Sequence, residues 1–197
     1  KLMVSLADDF RRTGDPAAQA QARKTFVALR QLALWDGPRA YFPGIAPYKD
    51  AQWLRHGWSA THSRNYPFIV EPCVYYWECT HDAEALEFAK AVADGFLAGS
   101  QRDQGELRID PATGAFQNHV HLHTHAVWGV AHLGAVLHEA RYIEWARKTY
   151  EFVLSQGTDF GWYPEFIPQG EYRSESCVVV DMLGTGAWLG RDWLPHY

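Results

Sequence analysis

The sequence has little of what nucleic-acid-binding or membrane proteins need. Its 18 Lys and Arg residues are outnumbered by 23 Asp and Glu residues, and no basic cluster is longer than two residues. This balance gives a net charge of −5 and no basic surface for a nucleic acid. No apolar run approaches the roughly 20 residues of a membrane-spanning helix, and no signal-peptide pattern opens the chain. We therefore expect neither a nucleic acid nor a membrane as a partner.

Cysteine is also scarce. The 3 cysteines are Cys73, Cys79 and Cys177, an odd number without a CxxC pair, so no disulfide framework is predicted. Cys73 and Cys79 lie in an apolar run and are expected in the core. Free thiols favour a reducing compartment such as the cytoplasm, while the sequence leaves both the compartment and the oligomeric state open.

Aromatic residues, by contrast, are abundant. The 197 residues include 9 Trp, 10 Tyr and 10 Phe, and the hydrophobic content of 47% is enough for a globular core. Many of these rings lie beside histidines or acids in stretches rich in glycine and proline. Flat apolar faces next to hydrogen-bonding groups suit carbohydrates, so a sugar is the expected ligand.

A repeat organises the chain. Three segments align without gaps from the acids Asp15, Asp82 and Glu139. Each has an alanine seven residues after the acid, then a basic residue, then apolar residues at helical spacing, which predicts an amphipathic helix. The alanine and base pairs are Ala22 and Arg23, Ala89 and Lys90, and Ala146 and Arg147.

Each repeated helix follows another apolar run after only a few residues, so each unit is predicted to be a helical hairpin. The preceding runs are Leu2 to Phe10, Phe68 to Trp77 and Ala126 to Leu137. Long connections over roughly residues 36–66, 98–123 and 157–174 return the chain to the next unit. One of them contains Leu107–Phe116, which predicts a small β-hairpin. In a regular array these connections emerge at one end, where we expect the functional residues.

The predicted fold is therefore all-α, built from repeated helical hairpins of an (α/α)6-type toroid. A fourth first-type helix is predicted from near Ser174, without a partner before Tyr197. Six hairpins of this period need on the order of 350 residues. We expect residues 1–197 to be a single toroid domain, incomplete at both ends, with about half of the toroid present.

Four imidazoles occur at every second position in His119, His121, His123 and His125. With Thr124 as the expected N-cap of a helix from Ala126, the run would be extended and would point all four rings the same way. Such rings suit sugar contacts, metal binding or general acid–base catalysis, and a structural role is the alternative. We assign catalysis to His123 and substrate binding to the other three.

Two glutamates are the candidate catalytic carboxylates. Glu165 lies among aromatic residues in Phe160–Phe166, where burial would raise a carboxyl pKa and suit a general acid. Glu175 follows ten residues later and has the same position in its unit as the histidine run and Glu71, so these groups are predicted to converge. Paired carboxylates are the minimum equipment for glycoside hydrolysis.

The remaining candidates surround these carboxylates. Glu175 and Cys177 could also bind zinc, although a lone cysteine on an apolar helix is commonly a buried core residue. The expected substrate-binding residues outside the histidine run are His62, Trp162, Tyr163 and Arg173.

The chain resembles (α/α) toroid carbohydrate-active enzymes. From His125 the chain reads His-Ala-Val-Trp-Gly-Val, followed by a helix pair, a Gly-rich aromatic loop and Ser174-Glu-Ser-Cys177. This order of motifs is similar to that of family 127 glycoside hydrolases, the β-L-arabinofuranosidases, over roughly residues 60–195. The resemblance implies that Glu175 and Cys177 are zinc ligands, and a nucleophilic cysteine further along has no counterpart here. The Trp-Tyr-Pro-Glu-Phe loop and the Ser-Glu-Ser-Cys-x-x-x-Asp helix look closer to glucuronidase-like relatives, for which no cysteine nucleophile is implied.

Three functions remain open from the sequence. The first hypothesis is a glycoside hydrolase for an oligosaccharide or polysaccharide. A polysaccharide lyase is the second, with His and Tyr moving a proton and Arg64 or Arg173 neutralising a uronate. The third is a carbohydrate-binding toroid fragment without turnover.

Overall fold

The computed structural model describes residues 2–41, 68–98, 109–168 and 173–190. Within these ranges the chain is all-α, with two small antiparallel sheets at the connections. The helices are α1 (Leu2–Thr13), α2 (Pro16–Leu32), α3 (Val70–Thr80), α4 (Ala83–Leu97), α5 (Val120–Leu137), α6 (Ala140–Gln156) and α7 (Ser176–Gly190). The strands are β1 (Leu34–Asp36), β2 (Arg39–Tyr41), β3 (Asn118–His119) and β4 (Phe166–Ile167).

The predicted helical hairpins are confirmed. Helices α1 and α2, α3 and α4, and α5 and α6 pack together in pairs, each joined by a connection of two residues. The fourth first-type helix, α7, begins at Ser176, two residues after the predicted start. The periodicity of apolar residues was a sufficient signal because each helix buries one stripe against its partner.

The three hairpin connections have the same backbone conformation. Their first residues, Gly14, His81 and His138, are left-handed, with φ of 72°, 56° and 54°. This conformation closes a helix by turning the next amide back onto its last turn. The second residue is the repeated acid, and Asp15 and Asp82 each accept a hydrogen bond from the amide two residues on, at 2.9 and 3.2 Å. A C-cap followed directly by an N-cap therefore makes each turn.

The repeated base links one hairpin to the next. The guanidinium of Arg23 on α2 pairs with Asp82 and, at 2.5 Å, with Glu84 at the start of α4. Lys90 on α4 lies 3.5 Å from Glu139 at the start of α6. The base of one unit thus pairs with the acid of the following unit, a role that the sequence pattern alone did not reveal.

The helices form two layers. The first helices of successive units, α1, α3, α5 and α7, each contact the next, while α2, α4 and α6 pack on their own partners. Between the layers lies a continuous core whose largest fully buried side chains include Phe26, Tyr76, Phe88, Leu133 and Tyr142. No helix in the described ranges has the length and apolarity needed to cross a membrane.

The β-hairpin expected over Leu107–Phe116 is not present in its described part. Residues 109–116 form a turn in which the amide of Asp110 donates to the carbonyl of Ala115 at 2.8 Å, without strands. Gly114, at φ 73°, lies so close to α6 that a Cβ there would be 2.3 Å from the Lys148 backbone. This packing against α6 takes the place of strand pairing. A two-stranded hairpin occurs instead at β1 and β2, directly after α2.

Candidate functional site

Helix α5 begins earlier than the sequence predicted, and this changes the histidine run. His119 is the N-cap residue in extended conformation, and the helix starts at Val120. The prediction of Thr124 as N-cap was therefore wrong. The cause is β3, which pairs with β4, so that the amide of Val120 donates to the carbonyl of Glu165 at 2.8 Å. A free amide of the first helical turn is thereby satisfied without a side-chain cap.

In an α-helix, residues two positions apart point to nearly opposite sides, whereas residues four positions apart share one face. His121 and His125, four residues apart, share one face, and His123 points elsewhere. The His123 side chain is completely buried, its ring stacks on Phe116 at a centroid distance of 3.9 Å, and its Nδ1 lies 2.8 Å from the carbonyl of His119. The expectation that all four rings point the same way was wrong, and the burial of His123 favours a core role over the predicted catalytic one.

Four side chains form what we call the aspartate cluster: His121, Thr124, His125 and Asp181. Asp181 on α7 is 2% exposed and lies between the two imidazoles. Its Oδ2 is 2.7 Å from His121 Nδ1 and its Oδ1 is 2.9 Å from His125 Nδ1. The hydroxyl of Thr124 donates to Oδ2 at 2.7 Å. Because helix α7 packs directly on α5, side chains from two rigid elements meet here.

Two carboxyl groups near these imidazoles have shifted pKa values in opposite directions. Burial alone would raise the pKa of Asp181, but hydrogen bonds from His121 and His125 outweigh it and lower the pKa below its usual value. An ionised Asp181 has no proton to donate, so each facing Nδ1 carries the proton. Burial raises the pKa of Glu71 in the first turn of α3, where His125 partly offsets the effect. Of the predicted convergence of Glu71 with the histidine run, this electrostatic influence of His125 is the part that the structure shows.

A second group, the glutamate cluster, comprises His119, Glu165 and Glu175. One side-chain ligand atom of each lies within 4.8 Å of those of the other two. His119 Nε2 is 3.1 Å from Glu175 Oε2. All three side chains are partly exposed, so the glutamate cluster is open to solvent, whereas Asp181 is buried. The rings of His119 and His121 are 6.1 Å apart and place the two clusters side by side.

Backbone hydrogen bonds fix the segments that carry the glutamates. The amide of Glu165 donates to the carbonyl of Arg173 at 2.9 Å, and the carbonyl of Glu165 accepts from Val120. This joins the residues just before α5, the aromatic loop and the residues just before α7. As a result Glu165 and Glu175, the two predicted catalytic carboxylates, lie close together.

The aromatic residues at the clusters differ from those expected. The ring of Phe166, 43% exposed, lies 5.2 Å from that of His119, and Phe68 lies 4.5 Å from His125. Tyr163 is buried against the end of α6, where a Cβ at Gly157 would be 2.6 Å from its ring. Its ring is thus part of the core, and Trp162 beside it is partly buried. The two residues of strand β4 point to opposite sides, so Phe166 is exposed and Ile167 is buried.

The residues around Cys177 do not fit the zinc site implied by the family resemblance. Burial raises the pKa of Cys177 to about 11, and the hydrogen bond that its Sγ donates to Glu175 Oε2 at 3.2 Å contributes to this shift. The thiol is therefore protonated near neutral pH. Zinc binds the thiolate. Cys73 and Cys79 are buried on α3, and among the described residues no group of three possible ligands includes a cysteine. The Cys177 thiol is therefore not a suitable zinc ligand in this structure.

The structure brings together some predicted site residues and adds one. Arg173 is exposed beside Glu165, and His62 lies outside the described residues. The added residue is Asp181, which the sequence did not predict as part of the site. The available signal was a lone acid in the apolar run Val178–Met182, because an acid on a buried helix face needs partners. No family model, curated protein or solved structure matches this chain.

Proposed function

We propose that this chain is part of an (α/α) toroid and acts as a glycoside hydrolase on an oligosaccharide or polysaccharide, with the glutamate cluster as its catalytic centre. The observation that carries the proposal is the approach of Glu165 and Glu175, whose carboxylate oxygens lie within 4.8 Å of each other beside His119. Layered hairpins with repeated turns support the toroid.

We propose a retaining mechanism, in which a carboxylate attacks the sugar carbon directly. Inverting glycosidases keep their two carboxyl groups roughly 6.5–9.5 Å apart to hold a water molecule, whereas retaining enzymes place them about 5 Å apart. One carboxylate oxygen of Glu165 lies within 4.8 Å of one of Glu175, an approach that is compatible with the retaining arrangement.

The contacts of the two glutamates divide the roles. Glu175 accepts a hydrogen bond from the Cys177 thiol and lies 3.1 Å from His119 Nε2, so its carboxylate is held in one orientation and suits the nucleophile. Glu165 then protonates the glycosidic oxygen while Glu175 forms a bond to the anomeric carbon and the leaving group departs. In the second step Glu165 takes a proton from water, whose oxygen displaces Glu175 from the sugar.

Apolar and polar groups at the clusters suit a sugar ring. The exposed face of Phe166 offers a stacking surface next to His119, and the partly exposed imidazoles of His121 and His125 offer hydrogen bonds to hydroxyl groups. Affinity would come from the aromatic face and specificity from the imidazoles.

The experiment follows release of the aglycone from a panel of aryl glycosides, together with the absorbance of unsaturated products from uronic-acid oligosaccharides. We expect Glu175→Gln to lower kcat/KM by about 1,000-fold or more, because a carboxamide cannot act as nucleophile. Glu165→Gln should lose a similar factor with aryl glycosides of poor leaving groups, which need the general acid. With activated leaving groups, added azide should restore its turnover, because azide attacks the glycosyl-enzyme without a general base.

The matched control is Glu151→Gln on the exposed side of α6, which should keep full activity. Equal activity of Glu175→Gln and the control would contradict the proposal. Growth of unsaturated-product absorbance would replace the hydrolase with a uronate lyase. Sugar binding without turnover, unchanged in both glutamate variants, would identify a carbohydrate-binding fragment.

A further inference from the structure

A buried carboxylate without a cationic side chain is the unusual feature of the aspartate cluster. Asp181 is 2% exposed, and in the described part of the chain neither a lysine nor an arginine pairs with it. Its partners are two imidazoles and the hydroxyl of Thr124. Buried charges in proteins are paired with an opposite charge or bound to a metal. A bound cation would therefore compensate the negative charge of Asp181.

We propose that His121, His125 and Asp181 bind a divalent transition-metal cation of the zinc class, independently of the hydrolase proposed for the glutamate cluster. One ligand atom of each residue lies within 4.8 Å of those of the other two. Two imidazole nitrogens and a carboxylate oxygen are a ligand set that zinc, cobalt and iron(II) accept, with further coordination positions open.

The observed distances need little rearrangement to hold such an ion. Ligands bonded at about 2.0–2.1 Å in a tetrahedral arrangement lie about 3.3 Å from one another. His121 Nδ1 is 2.7 Å from Oδ2 of Asp181 and His125 Nδ1 is 2.9 Å from Oδ1. The imidazole that faces the coordinating oxygen therefore moves away from it by roughly half an ångström, and the other ligand nitrogen, within 4.8 Å, moves toward the ion. On binding, the protons now on the two Nδ1 atoms move to Nε2, and each Nδ1 lone pair is released for the cation.

The surrounding groups orient the ligands and leave a route for the ion. Thr124 donates to Oδ2 of Asp181 at 2.7 Å and fixes the carboxylate, the contribution that outer groups make to metal sites. His121 and His125 occupy successive turns of α5, and Asp181 faces them from α7. The imidazoles are 21% and 15% exposed against 2% for Asp181, so a cation reaches the site from the histidine side.

The test is calorimetric titration of the purified, metal-free chain with Zn²⁺, and titration with Co²⁺ followed by its visible absorption. We expect one ion per chain and a Co²⁺ spectrum of four- or five-coordinate geometry. His125→Gln and Asp181→Asn should weaken binding by at least about 30-fold, since each removes one of three ligands. His138→Asn is the control, because it removes an exposed imidazole and keeps a residue that tolerates the left-handed conformation.

If Asp181→Asn folds poorly, X-ray absorption of the wild-type chain loaded with Zn²⁺ replaces it, because this measurement counts the nitrogen ligands directly. Two imidazoles with oxygen ligands support the proposal. Absence of saturable binding overturns it, as does binding that survives both cluster variants. Loss of binding in Glu175→Gln but not in His125→Gln would also overturn it and place the ion at the glutamate cluster. Loss of glycosidase activity alone has no bearing on this result.

Discussion

The two ends of the helical hairpins follow opposite rules. At the turn end, equivalent positions carry equivalent structure: a left-handed residue, an acid that begins the next helix, and a base from the preceding unit. At the loop end, the equivalent positions carry different chemistry. Glu71 lies in the first turn of α3, the histidine run at the start of α5, and Glu175 directly before α7. Both ends are made by the same helices.

The difference shows which constraint acts on each end. A two-residue turn between helices can adopt few backbone conformations. The same conformation therefore recurs at Gly14, His81 and His138, although two of these residues are histidines. Long connections at the other end leave the side chains free to diverge. Polar groups are nevertheless buried there, with Asp181 as the extreme case. Substitutions at the loop end should therefore have larger effects on free energy than matched substitutions at the turn end.

The largest effect on stability is expected for Asp181→Asn. An amide accepts from one imidazole but presents N–H groups to the other, which leaves a buried donor facing a donor. We expect the free energy of unfolding to fall by about 2 kcal/mol at pH 7, measured by urea denaturation. Asp159→Asn, at an exposed carboxylate, should change it by less than about 0.5 kcal/mol. Equal effects of the two variants would show that the burial of Asp181 does not set its contribution to stability.

The same pair of variants has a defined pH dependence. The folded-state pKa of Asp181 lies below its unfolded value because of the hydrogen bonds from the imidazoles. The carboxylate therefore stabilises the fold above about pH 4, and this contribution is lost as the pH falls through the folded pKa. The difference in unfolding free energy between wild type and Asp181→Asn should shrink below about pH 4. A difference that grows on acidification would show that Asp181 is protonated in the fold.

Intermediate effects are expected at the left-handed turn residues. Gly14→Ala should cost about 1 kcal/mol, and for conformational reasons alone, because a Cβ there meets no atom within 4 Å. His81→Gly should instead raise the free energy of unfolding by about 0.5 kcal/mol, since relief of the strained φ exceeds the added chain entropy. Thermal unfolding of both variants gives the signs. The same sign for both would show that the turns differ despite their shared backbone.

The sequence predicted the helices well because each one repeats an apolar stripe that only a helix can bury on one side. It also predicted Glu165 and Glu175 as the paired carboxylates, and it predicted the approach of Glu175 to the histidine run because both hold the same position in their hairpins. It placed the start of α5 wrongly because the signal lies in β4, more than forty residues later, and local capping rules do not include strand pairing. Asp181 was missed for the same reason, since its partners come from another helix.

The smallest effect is expected for the ion pair at the turn end. Arg23 is 40% exposed and Asp82 is 16% exposed, so solvent screens their attraction. Asp82→Asn retains an N-cap residue for α4 and removes the charge. Its effect on the hydrogen bond from the Tyr76 hydroxyl occurs with and without Arg23 and cancels in a double-mutant cycle. A double-mutant cycle of Arg23→Met and Asp82→Asn should give a coupling energy of about 0.5 kcal/mol that falls in high salt. The equivalent cycle of Lys90→Met and Glu139→Gln should give less, because that pair lies 3.5 Å apart. A coupling at Arg23 as large as the cost of Asp181→Asn would mean that the repeated turns, and not the buried carboxylate, hold successive hairpins together.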